Sequence, residues 1–156
     1  MDRQSARDYA VVAHGDQVYG DDQPYEEHLA AVAAVIGGWT DDADLIDAAW
    51  LHDTLEDTPT TFDDLSSRFG ERVARIVWAV TAEGESRPEK MAAIYRKIAA
   101  TPEAALVKLA DRVANVEAAP PNSRHMDRYT REREAFENAV RPFVPASAWA
   151  RLDRAY

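Results

Sequence analysis

Apolar residues recur along the chain at three- and four-residue spacing, and glycine and proline punctuate it at helical intervals. The pattern predicts helices from end to end. Residues 5–19 form a first amphipathic segment carrying Tyr9, Val12, Ala13 and His14, broken by Gly20-Asp21-Asp22-Gln23-Pro24. A second helix covers 25–36 and stops at Gly37-Gly38. Thr40 caps a third, which continues through residues 48–58 until Pro59. Thr61 caps a short helix over 62–69, and Gly70 separates it from another over 71–81 with Val73, Ile76, Val77 and Val80 on one face. Residues 82–87 read as a polar loop, with Ser86 capping a helix over 88–100. Thr101-Pro102-Glu103 supplies a cap, a first-turn proline and a dipole-favoured acid for a helix running to about residue 118. Pro120-Pro121-Asn122 ends it, a long charged helix covers 124–140, and Pro145 opens a short last one. No strand-like alternation persists, and no repeat or linker divides the chain. The expected fold is all-α, a single helical-bundle domain over residues 1–156.

Composition narrows the function classes. With 46% apolar residues, four Trp and six Tyr, the chain can build a core and is not disordered. There is no cysteine, which excludes disulfides, thiolate metal sites and a cysteine nucleophile and suits the cytoplasm. The N-terminus, Met-Asp-Arg-Gln-Ser-Ala-Arg-Asp, lacks the apolar stretch of a signal peptide, and no segment is apolar enough to span a bilayer. A net charge of −10 disfavours nucleic acid as the main partner. A phosphate ligand would need a metal and local cations to meet its charge.

The most informative tract is Ala-Ala-Trp-Leu-His-Asp-Thr-Leu-Glu-Asp-Thr, residues 48–58. An apolar run ends in His52 and Asp53, with Glu56 and Asp57 one turn on. On a helix His52 stacks under Glu56 and Asp53 under Asp57. Acids at the end of so apolar a segment are costly to bury unless something positive lies among them. A divalent metal is the simplest candidate, since imidazole and carboxylate are its ligands. Glu56 and Asp57 read either as solvated acids before a break or as a base placed to activate water, ionised beside a cation.

In the helix after Thr101, Lys108, Asp111, Arg112 and Asn115 share one polar strip on an otherwise apolar surface. That strip is either solvated or carries Asp111 into a site. His28 alone reads as a capping or surface group, His14 as structural and His125 as a surface residue.

Taken together, these motifs carry a family resemblance. His14-Gly-Asp-Gln17, Pro24-Tyr25-x-x-His28, Leu51-His52-Asp53-Thr54-Leu55-Glu56-Asp57-Thr58, Phe69-Gly70, Val80-Thr81 and Leu106-Val-Lys-Leu-Ala-Asp111-Arg112-x-x-Asn115 appear in order. Over about residues 9–117 the chain resembles the hydrolase domain of RelA/SpoT-type proteins, within the HD superfamily of metal-dependent phosphohydrolases. Its size is similar to that of stand-alone small alarmone hydrolases. The resemblance implies one Mn²⁺ held by His28, His52, Asp53 and Asp111, a catalytic pair Glu56 and Asp57, and a substrate contact at Asn115. It implies hydrolysis of the 3′-pyrophosphate of guanosine tetra- or pentaphosphate, with release of pyrophosphate. Manganese comes from the resemblance; the ligand types alone leave other divalent metals open.

The chain also departs from the family pattern. Tyr19 stands where the family carries an arginine that packs on guanine, and it offers a ring for stacking without charge. Leu29, Asp22-Gln23 and Ala114 replace a proline, a Gly-Glu pair and a histidine. Lys90, Arg96, Lys97, Lys108 and Arg112 are the local cations for phosphate, Lys90 lying near a basic position of the family. The altered base pocket keeps two alternatives open: another nucleotide substrate, such as NADPH or a 2′- or 3′-phosphorylated nucleotide, or a nucleotide-binding module without turnover.

Overall fold

A computed structural model describes residues 5–20 and 22–156. The first four residues, part of the stretch read as lacking a signal peptide, and Asp21, in the expected break, lie outside the described residues.

Helix α1 (Ala6–His14) starts under Ser5, whose hydroxyl accepts from the Asp8 N–H. It ends at His14 instead of continuing to residue 19, because Gly15 takes φ +55° and turns the chain. The helix-only reading then misses a hairpin: β1 (Val18–Tyr19) pairs antiparallel with β2 (Gln23–Pro24), Tyr19 opposite Gln23. Strands of two residues are too short to show alternation in a sequence. The rest is helical, as expected.

Helix α2 (Tyr25–Gly37) buries Leu29, Val32 and Ile36, and His28 shares that buried face. Helix α3 (Ala43–Leu51) is capped by Asp42, which accepts from Asp44 N–H; Thr40, the expected cap, accepts instead from Asp42 N–H one turn of chain earlier. The predicted continuous helix through residue 58 is interrupted. It stops at Leu51, passes through His52 and Asp53 in a turn, and resumes as α4 (Thr54–Asp57). Side chains compete for the helical carbonyls there, Thr54 Oγ1 donating to Leu51 O and His52 Nδ1 bonding Ala49 O. The interruption aims His52 and Asp53 together at one point instead of along two stripes.

Helix α5 (Phe62–Phe69) opens with a reciprocal Thr61–Asp64 capping box. Then come α6 (Glu71–Ala79), α7 (Arg87–Ala100) capped by Ser86, α8 (Ala104–Ala118), α9 (Arg124–Val140) capped by Ser123, and α10 (Ala146–Ala155) after Pro145. Thr101 does not cap α8 through its side chain. Its carbonyl accepts from Ala104 N–H, and Glu103 pairs with Arg72.

One cluster of buried side chains runs from Leu29 and Ile36 through Leu45, Leu51, Ile76, Leu109 and Val113 to Phe136, Trp149 and Leu152. Helix α3 packs on α1, α2, α6 and α8, and α8 also packs on α9 and α10. Each fully buried Leu or Val contributes about 1.5–3 kcal/mol, so apolar burial fixes the helices that carry the polar site. No described helix is long and apolar enough to cross a membrane.

Candidate metal centre

Three elements bring four donors to one point. His28 comes from the first turn of α2, His52 and Asp53 from the α3–α4 interruption, and Asp111 from the middle of α8. The donor atoms of His28, His52 and Asp53 lie within 4.8 Å of one another. Asp111 Oδ1 is 3.2 Å from His28 Nε2 and 3.3 Å from His52 Nε2, and Asp53 Oδ2 is 3.0 Å from His52 Nε2. All four residues read as ligands from the sequence meet here. His28 is a buried member of the site, not a capping or surface group. Asp111 is buried as well, so the polar strip of α8 turns inward.

The donor set fits a divalent cation. His52 Nδ1 lies 2.7 Å from the Ala49 carbonyl, which accepts only if Nδ1 carries the proton. In the neutral ring Nε2 then presents a lone pair, buried and without a hydrogen-bond partner, to two carboxylate oxygens at 3.0 and 3.3 Å. Only positive charge there makes this arrangement favourable, either a second proton on the ring or a bound cation. Burial would push the His52 imidazole down, but Asp53 and Asp111 outweigh it and hold it well above its ordinary value. A backbone carbonyl orienting the far nitrogen is also the usual support of a histidine ligand. Burial likewise works against Asp111 ionisation, yet Lys108 and then His52 hold it well below the usual carboxylate range.

The surrounding residues orient these groups. The Tyr25 hydroxyl donates to Asp53 Oδ2. Glu56 Oε1 accepts from the Ala82 N–H at 2.7 Å, and Asp57 Oδ2 accepts from Gln17 Nε2 at 3.1 Å. Gln17 Oε1 must then accept from His14 Nδ1, 2.8 Å away, so buried His14 supports Asp57 through Gln17. Burial first and the Asp53 charge next push the Asp57 carboxyl up; Glu56 is pushed up by burial and Asp53 against the Ala82 bond. A cation at the donors opposes both shifts.

A cavity of about 220 Å³ opens on these groups, lined by Tyr19, His28, Asp53, Glu56, Asp57, Lys90, Lys108, Asp111 and Asn115 among others. Of the residues singled out from the sequence as ligand, base or substrate contact, all but His52 line it, and His52 Nε2 lies 3.0 Å from the Asp53 carboxylate that does. Lys108 Nζ reaches Asp111 Oδ2 at 3.1 Å, and Lys90 stands exposed at the rim. Arg96 and Lys97 do not line the cavity: Arg96 is exposed, and Lys97 bonds the Thr81 carbonyl and Glu83. Arg112 is a wall residue whose guanidinium is fully buried against Phe136 and Tyr129, 3.0 Å from Glu132 Oε1. That approach is an ion pair off the hydrogen-bond direction.

Sequence reasoning missed Arg87 and Tyr129, which line the same cavity, and Glu132, which holds Arg87 by two bonds of 2.9 and 3.1 Å. Nothing in the polar loop or the charged helix distinguishes them locally. Tyr25 and Gln17 lay inside quoted motifs, where a polar tip beside a ligand histidine was the available signal.

Comparison with known proteins agrees with this geometry. The HD domain family matches residues 6–137. The chain is 42% identical over 118 residues to the guanosine-3′,5′-bis(diphosphate) 3′-pyrophosphohydrolase of Aquifex aeolicus (strain VF5), covering 72% of this chain and 17% of that protein. It is 40% identical over 116 residues to the guanosine-3′,5′-bis(diphosphate) 3′-pyrophosphohydrolase MESH1 of Danio rerio, covering 69% of this chain and 63% of that protein. The solved structure of a metazoan ortholog of SpoT that hydrolyzes ppGpp superposes with a TM-score of 0.81 at 25% identity, over 96% of this chain and 90% of that one. The match thus spans less than two thirds of the length of the first two relatives. The chain belongs to the HD domain family.

Proposed function

We propose that this chain is a metal-dependent hydrolase of guanosine 3′,5′-bis(diphosphate)-type alarmones that releases pyrophosphate from the 3′ position. The observation that carries the reading is the convergence of His28, His52, Asp53 and Asp111, with His52 Nε2 facing two carboxylates, beside Glu56 and Asp57 on the same cavity. The names of relatives at 40 and 42% identity support the substrate. We also take residues 1–156 to act as one domain, in the cytoplasm, on a small-molecule nucleotide and not on nucleic acid or membrane.

A divalent cation, Mn²⁺ in this proposal, held by the four donors supplies a Lewis acid that neutralises phosphoryl charge and acidifies water. The protein does the rest. Asp57, held by Gln17, or Glu56, held by the Ala82 N–H, accepts the proton of the attacking water. The water oxygen bonds to the phosphorus next to the ribose 3′ oxygen, the P–O3′ bond breaks, and O3′ takes up the proton that the carboxylate accepted. Lys108 and Lys90, with Arg87 at the far wall, meet the negative charge of the phosphates. Asn115 and Tyr19 contact the nucleoside.

Purified chain with Mn²⁺ releases pyrophosphate from guanosine tetraphosphate on this account, and His52→Ala abolishes release without unfolding the protein. No turnover with any divalent metal retires the proposal. A second reading keeps the enzyme and changes the substrate to NADPH or another 2′- or 3′-phosphorylated nucleotide. Tyr19 favours it, because its neutral hydroxyl, bonded to Asn115, replaces a cation at the base. A nucleotide panel decides between them. Tight nucleotide binding without product in metal-loaded protein favours a non-catalytic module.

A further inference from the structure

Tyr19 touches two members of the donor wall at once. Its ring lies parallel to the His28 imidazole, with centroids 4.6 Å apart and an interplanar angle of 6°. Its hydroxyl donates to Asn115 Oδ1 at 2.7 Å. Asn115 Nδ2 in turn donates to Asp111 Oδ1 at 3.1 Å, the same oxygen that lies 3.2 Å from His28 Nε2.

Each contact removes a freedom that the ligand geometry needs removed. The terminal torsion of a histidine is broad and roughly two-fold, so the ring plane must be set from outside. A backbone carbonyl does this for His52; for His28 the parallel Tyr19 ring does it, with Tyr25 tilted at 5.4 Å. An asparagine amide can flip, which would turn Oδ1 toward the Asp111 carboxylate. The Asp111 carboxylate disfavours that flip, and the Tyr19 hydroxyl, donating to Oδ1, anchors the other end of the amide and holds Nδ2 on Asp111. Both effects come from one side chain on a two-residue strand, delivered by the Gly20 turn at φ +67°.

From this geometry we infer that Tyr19 is a positioning residue for the metal centre, bracing His28 by its ring and Asp111 through Asn115. The inference rests on the metal-centre reading above. It assigns Tyr19 a task toward the cation that is separate from contact with a nucleotide, so it is readable with no nucleotide present.

The test is a Mn²⁺ titration of the full chain, followed by the electron paramagnetic resonance signal of the free ion, for wild type, Tyr19→Phe and Tyr19→Leu. Thermal melts in chelator run alongside. Tyr19→Phe keeps the stacked ring and loses the hydroxyl, and binds Mn²⁺ about fivefold more weakly, the worth of one neutral hydrogen bond. Tyr19→Leu loses both and binds more than about tenfold more weakly, as for other residues that orient ligands. Both melt within about 2 °C of wild type in chelator, since Tyr19 is half-buried at the surface. Tyr19→Leu with wild-type Mn²⁺ affinity overturns the inference, and so does a loss of affinity that tracks a collapse of the melt in chelator. A wild type that takes up no Mn²⁺ brings down the metal-centre reading itself, a failure distinct from either.

Discussion

His52 Nε2 and Asp111 Oδ1 stand 3.3 Å apart in the interior, joining the α3–α4 interruption to the middle of α8. With Nδ1 committed to the Ala49 carbonyl, His52 meets Asp111 through Nε2, and positive charge there, a second proton on the ring or a bound cation, makes the pair favourable. The four side chains are placed to hold positive charge.

Metal should stabilise the fold. At a concentration one hundred times its Kd, an ion that binds only the folded chain adds about 2.7 kcal/mol. For a chain of this size that raises Tm by roughly 5–10 °C. Scanning calorimetry with Mn²⁺ and then excess chelator checks it; identical melts contradict it.

Removing a ligand carboxylate should cost activity more than folding. In chelator, Asp53→Ala loses the Tyr25 hydroxyl bond and the His52 contact while shedding repulsion with Asp111, so the variant stays folded and melts within a few degrees of wild type. Pyrophosphate release falls below detection. A variant that unfolds in chelator assigns Asp53 a structural task instead.

The Gln17 link to Asp57 predicts a split between kinetic constants. Gln17→Leu frees the Asp57 carboxylate while leaving the donors and the cationic wall in place. We expect kcat to fall roughly tenfold, about 1.4 kcal/mol of barrier, with KM nearly unchanged. A rise in KM alone would place Gln17 in substrate binding.

Glu132 predicts a pH dependence remote from the metal. Burial works to raise its carboxyl, but the Arg87 bond and the Arg112 charge outweigh it and hold it below the ordinary glutamate value. Its ion-pair stabilisation is thus complete above the unfolded value and is lost as pH falls through the lower folded one. Glu132→Gln should be destabilised by roughly 3 kcal/mol at pH 7, because it leaves Arg112 buried without its counter-charge. The gap to wild type should narrow on acidification toward pH 3. Urea denaturation at several pH values measures it; a gap that widens in acid refutes the assignment.

Much of this was legible in the chain because helices and caps are local. The Gly37-Gly38 stop, the Thr61 cap and the Ser86 cap depend on neighbours a few residues away, and they hold. His52 and Asp53 stood out because imidazole beside carboxylate at the end of an apolar run is expensive without a purpose, whereas His28 and Asp111 entered the proposed ligand set through the family resemblance. Less visible were features set by distant partners. The break at His52 depends on side chains taking helical carbonyls, the hairpin at Tyr19 is too short for alternation, and Arg87 and Tyr129 gain meaning only where α7 and α9 meet the cavity. Tyr19 read as a platform for a base; its stacking on His28 and its bond to Asn115 are contacts between distant segments that the sequence does not display.

The most direct test is anomalous diffraction from crystals of the chain grown with Mn²⁺. The account predicts one strong manganese peak bonded to His28 Nε2, His52 Nε2, Asp53 and Asp111. Crystals grown at saturating Mn²⁺ that show no peak among those four side chains would contradict it.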